Sequence, residues 1–155
     1  MTDAGMISGL AGLAGLAAAT LLGLLAGALL AEGALLVPYW RTLSAEQFYA
    51  LHPTYGPRLY RFYAPLTIAA PLAALVSAGL ATAAGVHVAA AWGAALLTLA
   101  LLACYGLFFR AANDAFTRHA VPADELPAAL ARWAAWHHVR VVIAILAFVC
   151  SLLAL

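Results

Sequence analysis

The feature that most constrains this chain is the distribution of its charged residues, which leaves three long blocks with no Asp, Glu, Lys or Arg. The blocks run over residues 4–31, 62–109 and 141–155. A helix needs about 20 predominantly apolar residues to cross the roughly 30 Å of hydrocarbon in a bilayer. The first block therefore predicts one membrane span, and the second block is long enough for two.

The composition excludes an ordinary soluble domain. Of the chain, 67% is hydrophobic and 8% is charged, whereas soluble domains are about 45–50% apolar and about 25% charged. The formal net charge is +1 without a basic run, so the chain lacks the electrostatic footprint that nucleic-acid binding requires. Cys104 and Cys150 lie in apolar runs and indicate neither a disulfide framework nor a zinc site. The partner that the composition predicts is the lipid bilayer.

The remaining spans follow from one turn and from the length of the last block. Residues 85–87, Gly-Val-His, are the only turn-like break in the second block and divide it into two spans. The last block is too short alone, so its span must begin near Trp136 and include His137, His138 and Arg140 in its first turns. We therefore expect a single all-α transmembrane domain over residues 1–155, a four-helix bundle. Its predicted spans lie near residues 7–37, 63–84, 88–109 and 136–155.

The arginines predict the orientation in the membrane. All seven lie in or beside the two longer connections, and the termini and the 85–87 turn have none. They are Arg41, Arg58, Arg61, Arg110, Arg118, Arg132 and Arg140. The positive-inside rule places both connections in the cytoplasm and both termini on the other side, and we expect the inner (plasma) membrane of the cell. Residues 1–3, Met-Thr-Asp, lack the positive charge of a signal peptide, so we expect an uncleaved first span.

The two cytoplasmic connections are predicted to contain short amphipathic helices. Ser44 and Gln47 have the spacing of a capping box, which predicts a helix through Leu51. Residues 122–125, Pro-Ala-Asp-Glu, predict a second helix that runs unbroken into the fourth span. In and beside the first connection, five aromatic residues are predicted to lie at the level of the lipid headgroups: Tyr39, Trp40, Tyr55, Tyr60 and Tyr63.

Small residues on the first span predict close helix packing. Gly23, Gly27 and Ala31 recur at a spacing of four residues, and such a row lets helix backbones approach closely. The contact they form is within the bundle or, in the alternative, between copies of the chain in a homo-oligomer.

Glu32 is the one acidic residue predicted within a span. If the first span ends before Pro38, Glu32 lies about 9 Å inside it at the helical rise of 1.5 Å per residue. A carboxylate that faced lipid there would cost about 2.5–3.5 kcal/mol, so we expect Glu32 to face the bundle interior and to have a partner. It is a functional residue or, in the alternative, one half of a structural ion pair with an arginine of a neighbouring helix.

The third span ends in polar residues that suit a binding site. Tyr105 and Asn113 fall roughly on one helix face, and an amide at Asn113 can both donate and accept hydrogen bonds. Arg110 and Asp114 beside them have the spacing of an ion pair on the helix surface.

The fourth span carries Trp133, His137 and Arg140 on one stripe. An imidazole and a guanidinium so placed can act as a base beside an anion holder. Glu32, His52 and His137 are also ligand types for iron, copper or zinc, although no HExxH or ExxH motif accompanies them. Nucleotide-binding and hydrolase motifs such as GxxxxGK[ST], GxGxxG and GxSxG do not occur in the chain.

Three short segments of the chain form a further pattern: residues 36–40 (Leu-Val-Pro-Tyr-Trp), residues 105–109 (Tyr-Gly-Leu-Phe-Phe) followed by Asn113, and Trp136-His137 followed by Arg140. In this pattern the chain resembles the anthrone-oxygenase-like family of small four-helix membrane proteins, long catalogued as a domain of unknown function. The resemblance implies oxidation of anthrones to anthraquinones with molecular oxygen. It marks Asn113, Trp136, His137 and Arg140 as site residues. The chain departs from the commoner family pattern at residues 111–112, Ala-Ala, where a proline often precedes the asparagine.

The resemblance and the polar residues together predict an enzyme that oxidises a hydroxylated aromatic or quinol-like molecule with O2 in the cytoplasmic half of the bundle. His137 or Glu32 would remove a proton, and Arg140 would hold the oxyanion. The residues expected to contact the substrate are Asn113, Trp136, Tyr105 and His52. The scheme requires no cofactor. The alternatives are a non-enzymatic scaffold or binding protein, and a metal-dependent oxidoreductase that uses Glu32, His52 and His137.

Overall fold

The computed structural model of the protein describes residues 3–155, most of which belong to four long helices. The first helix, α1, begins with the α-helical segment Asp3–Ala31, passes through a π-helical turn at Glu32–Leu36 and ends with Val37–Trp40. The second helix, α2, is Ala45–Ala84. Residues 1–2, which entered the argument for an uncleaved first span, lie outside the described residues.

The third helix, like α1, contains a π-helical turn, and the fourth is one continuous α-helix. Helix α3 consists of Val88–Cys104, a second π-helical turn at Tyr105–Phe109, and Arg110–Thr117. Helix α4 is Leu126–Leu153. Each of the four helices is long and apolar enough to cross a membrane. The predicted all-α class and four-helix bundle are therefore confirmed, and the helices indicate a multi-pass membrane protein.

The helices form a ring in which each one packs chiefly against its two neighbours in chain order, with α4 closing against α1. The Tyr49 hydroxyl donates a hydrogen bond of 2.7 Å to the Val121 carbonyl oxygen. This bond joins the first turns of α2, just after the connection at residues 41–44, to the connection at residues 118–125, and both connections therefore lie at the same end of the bundle. We call it the arginine-rich end, and we call the opposite end, which contains residues 85–87 and the C-terminus, the turn end.

Helix α2 begins where the capping box predicts. The backbone N–H of Ser44 donates to Gln47 Oε1 at 2.9 Å, and the backbone N–H of Gln47 donates to Ser44 Oγ at 3.2 Å. The helix does not end at Leu51, however, but continues to Ala84 through Pro53, Pro57, Pro65 and Pro71. Membrane helices tolerate proline because neighbouring helices and side chains satisfy the carbonyls that proline leaves without a donor. The predicted short helix is thus the first part of α2.

The other two predicted boundaries hold more closely. Gly85 (φ 70°) and His87 (φ 49°) adopt left-handed backbone conformations between α2 and α3, and glycine enters that region at no steric cost because it has no Cβ. Helix α4 begins at Leu126, after a turn in which the Leu126 N–H donates to the Pro122 carbonyl oxygen at 3.0 Å. It then runs unbroken to Leu153, as predicted.

The core divides into two regions of different composition. Near the turn end the helices meet mainly through alanines, and we call this region the alanine-rich half. Its buried alanines include Ala70, Ala74, Ala78, Ala91, Ala94, Ala95, Ala144 and Ala147. Near the arginine-rich end the core consists mainly of large side chains, and we call this region the aromatic half. Its members include Phe48, Phe109, Phe116, Leu126, Leu130 and Trp133.

The glycine row of α1 serves packing within the bundle at one position and leaves another open. A Cβ at Gly23 would lie 3.0 Å from Phe148 Cε2 of α4, whereas a Cβ at Gly27 would meet nothing within 4 Å. Close helix approach therefore requires a small residue at Gly23. The expected homo-oligomer contact stays a prediction.

Candidate functional site

Glu32 faces the interior of the bundle and has a partner, as predicted. The residue is 5% exposed and is the first residue of the π-helical turn in α1. Its Oε2 accepts a hydrogen bond of 3.3 Å from Arg140 Nη2 of α4. The carboxylate and the guanidinium therefore form a largely buried ion pair between α1 and α4, two of the helices that are apolar enough to cross a membrane.

His137 lies beside this pair with both ring nitrogens engaged. Its side chain is fully buried, Nδ1 lies 3.0 Å from Arg140 Nη2, and Nε2 lies 2.9 Å from the Leu29 carbonyl oxygen. A guanidinium only donates hydrogen bonds and a carbonyl oxygen only accepts them. Nδ1 must therefore be the acceptor and Nε2 must carry the proton, which makes His137 a neutral imidazole without a free lone pair.

The π-helical turn in α1 closely follows two backbone carbonyls, those of Ala28 and Leu29, that accept hydrogen bonds from side chains of other helices. A π-helical turn widens the helix locally and disturbs the regular i to i+4 ladder, and such turns are frequent at functional sites. Just before it, Leu29 accepts from His137, and the Ala28 carbonyl oxygen accepts from the Tyr63 hydroxyl at 2.9 Å. A Cβ at Gly33 would lie 3.1 Å from His137 Nε2. Glycine at this position therefore leaves room for the imidazole ring against α1.

The Arg140 side chain is held in place by contacts within the bundle and also borders a cavity. Its guanidinium carbon lies 4.1 Å from the centre of the Phe109 ring, and its Nη2 donates to both Glu32 and His137. Its buried Nε has no hydrogen-bond partner among residues 3–155. The Arg140 side chain also lines the cavity, so it can offer a donor group of fixed orientation to a bound molecule.

The cavity lies mainly between α2 and α3 and has a volume of about 1080 Å³. Pockets that bind small molecules have volumes of about 300–1,000 Å³, with mostly apolar walls and a few polar groups that fix the orientation of the ligand. The side chains on its wall that can make polar or aromatic contacts include His52, Tyr63, Tyr105, Asn113, Trp133 and Arg140. The volume is slightly above this range, and the lining, mostly apolar with a few polar groups, suits the binding of a small molecule.

Trp133 connects the cavity wall to the buried pair. Its ring stacks on His137, with centroids 5.1 Å apart and planes 9° from parallel. Its Nε1 donates a hydrogen bond of 2.9 Å to Asn113 Oδ1. Because this bond occupies the amide oxygen, the amide nitrogen of Asn113 is the group that can donate to a ligand. The contacts form a continuous chain from Asn113 through Trp133 and His137 to Arg140 and Glu32.

The structure divides the predicted site residues into three groups. The cavity wall contains Arg140, Asn113, Tyr105 and His52. Glu32 and His137 lie behind Arg140 and do not line the cavity. Trp136 is not brought to the cavity at all, because it stacks on Phe108 at 5.1 Å and is 37% exposed on the outer surface. Trp133, the preceding tryptophan of α4, lines the wall instead.

The predicted grouping of Glu32, His52 and His137 is not formed. In the part of the chain that the structure describes, no three His, Cys, Asp or Glu side chains come together closely enough to hold a metal ion. His52 packs against Phe48 and Phe116, at centroid distances of 5.5 Å and 6.1 Å. The metal-dependent alternative therefore receives no support from this geometry.

The predicted ion pair between Arg110 and Asp114 is wrong, because Asp114 has a different partner. Asp114 pairs with Arg118, and both side chains are exposed. Both arginines lie four residues from Asp114, but an acidic residue that precedes its basic partner has the more favourable orientation on a helix. Arg110 instead borders the cavity.

Sequence reasoning overlooked the inward contact of Tyr63 and the role of Gly33. Tyr63 is half-buried, and its hydroxyl donates to the Ala28 carbonyl oxygen of α1. Its place at the headgroup level stays a prediction. The signal available in the sequence was the pair Glu32-Gly33, which places a residue without a side chain next to a carboxylate inside a span. A glycine at such a point indicates that another group approaches the helix closely.

Comparison of the chain with known protein families, with curated proteins and with solved structures finds no match. The resemblance to the anthrone-oxygenase-like family therefore stays a prediction that rests on the three segments quoted above.

Proposed function

We propose that this chain is an inner (plasma) membrane protein that binds a lipophilic hydroxylated aromatic molecule in its cavity and oxidises it with O2. The observation that carries the binding step is Arg140, whose guanidinium borders the cavity while Glu32 and His137 hold it from behind. The reaction type comes from the resemblance to the anthrone-oxygenase-like family.

The proposed orientation places the arginine-rich end in the cytoplasm. The support is the distribution of the seven arginines, none of which lies in the termini or in the turn at residues 85–87. In this orientation the first turns of α2 and α4 extend beyond the hydrocarbon as amphipathic segments at the membrane surface. The cavity then lies in the cytoplasmic half of the bundle.

Arg140 is the proposed anion holder. A guanidinium presents several donors in a fixed plane and suits an oxyanion, and a donor held in place before the reaction stabilises the charge that develops in it. The Glu32 carboxylate keeps the guanidinium from being an isolated buried charge, which would be costly. Glu32 and His137 are accordingly positioning residues in this proposal.

This assignment changes the predicted role of His137. The imidazole has no lone pair free for a substrate proton, because Nδ1 accepts from Arg140 and Nε2 donates to Leu29. In the proposal, Arg140 stabilises the enolate or phenolate form of the substrate, and the proton is released to water in the cavity. Asn113 lines the same cavity, and its amide nitrogen is a donor for a further polar group of the substrate.

The proposed reaction balances without a cofactor. The CH2 group of an anthrone loses a proton, the resulting carbanion adds O2, and a proton converts the adduct to a hydroperoxide. The hydroperoxide then eliminates water and leaves a ketone, so that CH2 and O2 become C=O and H2O. Oxygen accepts the four electrons that the carbon loses.

Oxygen uptake by the purified protein tests the proposal. With anthracen-9(10H)-one as the probe, we expect uptake above the background oxidation in detergent alone, with anthraquinone as the product. Arg140→Met should lower the rate about 100-fold, the size of effect found when a donor to an oxyanion is removed. Uptake by the wild type that equals the background would overturn the proposal.

Two further variants separate the cavity from the rest of the bundle. Gly106 lines the cavity, and a Cβ there would meet nothing within 4 Å, so Gly106→Leu should fill the cavity and raise KM. Gly79→Leu is the matched control, because Gly79 also has open space but lies outside the cavity. His137→Ala should lower the rate through misplacement of Arg140, and His137→Gln should restore part of it.

A second candidate function is a non-enzymatic scaffold or binding protein. It is favoured by the fact that Glu32, His137 and Asn113 all have partners within the bundle. If the protein is a scaffold, substitution of any of these residues by alanine should lower its melting temperature, and no hydroxyaromatic probe should bind. Saturable binding that depends on Arg140 distinguishes the first proposal from this one.

A further inference from the structure

The cavity is longer than a compact molecule of three fused rings, such as an anthrone held at Arg140, requires. Helix α2 lines it from His52 to Ile68, and α3 lines it from Leu101 to Thr117. At the helical rise of 1.5 Å per residue, each stretch corresponds to about 24 Å. A compact ligand at Arg140 would leave the part near the arginine-rich end unfilled.

Polar groups occur at two levels of this cavity. The deep level contains Arg140 and Tyr63, and the Tyr63 hydroxyl donates to the Ala28 carbonyl oxygen of α1. The outer level, nearer the arginine-rich end, contains His52, Arg110 and Asn113. Along α2, the separation between His52 and Tyr63 corresponds to about 16 Å.

The wall between these levels is mostly apolar. It includes Pro57 and Leu59 of α2 and Gly106 of α3. A ligand that reaches both levels must therefore present an apolar middle section. Flat aromatic rings fit such a section, because Trp133 and Tyr105 lie on the same wall.

The outer polar groups are placed to bind a ligand. No side-chain hydrogen bond within residues 3–155 involves His52 or Arg110, and their neighbour Asp114 is already paired with Arg118. The His52 ring is held by Phe48 and Phe116. A Cβ at Gly56 would lie 3.1 Å from His52 Cε1, so the absence of a side chain at Gly56 leaves room for the His52 ring.

We propose that the substrate is an elongated hydroxyaromatic molecule with a polar group at each end, one bound at Arg140 and the other bound by His52, Arg110 and Asn113. This inference rests on the proposed function, because it takes Arg140 as the holder of the first hydroxyl. It adds the length of the molecule and a second recognition site. Arg110 and the Asn113 amide nitrogen donate hydrogen bonds to the second polar group. A ring nitrogen of His52 donates to this group or accepts from it, according to the tautomer.

Two probes with the same three-ring frame test the proposal. They are 4-hydroxy-p-terphenyl, with one hydroxyl, and 4,4''-dihydroxy-p-terphenyl, with a hydroxyl at each end of three rings. Each is titrated anaerobically into the purified protein, and binding is followed by quenching of tryptophan fluorescence. We expect the wild type to bind the diol about 10-fold more tightly, the gain of one hydrogen bond to a charged group.

The variants assign this gain to the outer level. His52→Leu and Arg110→Met should each abolish the preference for the diol and leave the binding of the mono-hydroxy probe unchanged, which also shows that these variants are folded. Gly56→Ala should reduce the preference without removal of any polar group, because it displaces the His52 ring. Arg140→Met should weaken the binding of both probes.

The possible results separate this inference from the proposed function. Equal binding of the two probes by the wild type, with the mono-hydroxy probe still dependent on Arg140, overturns the inference and leaves the proposed function standing. A diol preference that survives in both His52→Leu and Arg110→Met overturns the inference in the same way. Failure of either probe to bind the wild type, or binding that is insensitive to Arg140→Met, overturns both.

Discussion

The alanine-rich half and the aromatic half of the bundle are built from the same four helices but differ in backbone and in chemistry. In the alanine-rich half the helices are regular and meet through small buried side chains. In the aromatic half α1 and α3 each contain a π-helical turn, at Glu32–Leu36 and Tyr105–Phe109. The buried ion pair and most of the cavity lie beside those turns, and the deep end of the cavity reaches Leu25, Leu29 and Leu101 of the alanine-rich half.

The difference indicates how a small bundle can combine a firm scaffold with a polar site. Helices with alanine at their contacts pack closely, and their backbone groups are paired within each helix except where a proline, such as Pro71 of α2, removes a donor. A π-helical turn gives up part of that regularity, and side chains of α2 and α4 then bond to the backbone of α1 at Ala28 and Leu29. The irregular half can therefore hold groups that the regular half would exclude.

The largest expected effect is on the ion pair in the aromatic half. Glu32→Leu leaves the buried Arg140 guanidinium without its carboxylate, and loss of one partner of a buried pair costs about 3–5 kcal/mol. We expect this loss in the free energy of unfolding, measured by reversible denaturation in detergent micelles. The double variant Glu32→Leu/Arg140→Met should be more stable than Glu32→Leu alone. A double variant whose loss equals the sum of the two single losses would show that the pair is not coupled.

The next effect tests the packing of the alanine-rich half. Gly23→Val forces a side chain against Phe148, and overpacking of this kind costs about 1–3 kcal/mol. Gly27→Val is the matched control on the same helix, because a Cβ there meets nothing within 4 Å. The two variants are compared by the free energy of unfolding. Equal stability of both would contradict the close contact between α1 and α4.

A smaller effect is expected where the cavity wall meets the polar network. Asn113→Ala removes the acceptor of the Trp133 Nε1 hydrogen bond, which should cost about 1 kcal/mol in unfolding free energy. Asn113→Asp keeps an oxygen in this position and serves as the control. The loss of the bond should also shift the tryptophan emission spectrum. An Asn113→Ala spectrum identical to that of the wild type would argue against this contact.

The smallest effect is expected for the exposed ion pair at the end of α3. Asp114→Asn removes the partner of Arg118 on the surface, and exposed pairs of this spacing contribute about 0.3–0.5 kcal/mol. The change in unfolding free energy should therefore be at least several-fold smaller than for Glu32→Leu. A comparable loss in the two variants would remove the distinction between the buried pair and the surface pair.

Much of the fold could be predicted from where charges are absent. The four helices, the turn at residues 85–87 and the inward position of Glu32 follow from the cost of charge and of unpaired backbone in lipid. The stripe of Trp133, His137 and Arg140 followed from helical periodicity, and the stacking and hydrogen bonds of these three residues confirm it.

The remainder depended on features that local spacing does not determine. The resemblance marked Trp136, but on α4 that residue is one position before His137, and adjacent helical residues point about 100° apart. The partner of Asp114 was ambiguous because arginines lie four residues away on both sides. The π-helical turns have no spacing pattern of their own, so the acceptors at Ala28 and Leu29 could not be foreseen.

The role of Arg140 can be read from the absorbance spectrum of a bound chromogenic phenol. A nitrophenol is titrated with the protein at a pH below its own pKa in water, where the free probe is mostly protonated. We predict that the wild type binds the probe with the spectrum of the phenolate, and that Arg140→Met binds it more weakly and with the spectrum of the neutral phenol. The same neutral spectrum on both proteins would contradict the assignment of Arg140 as the anion holder.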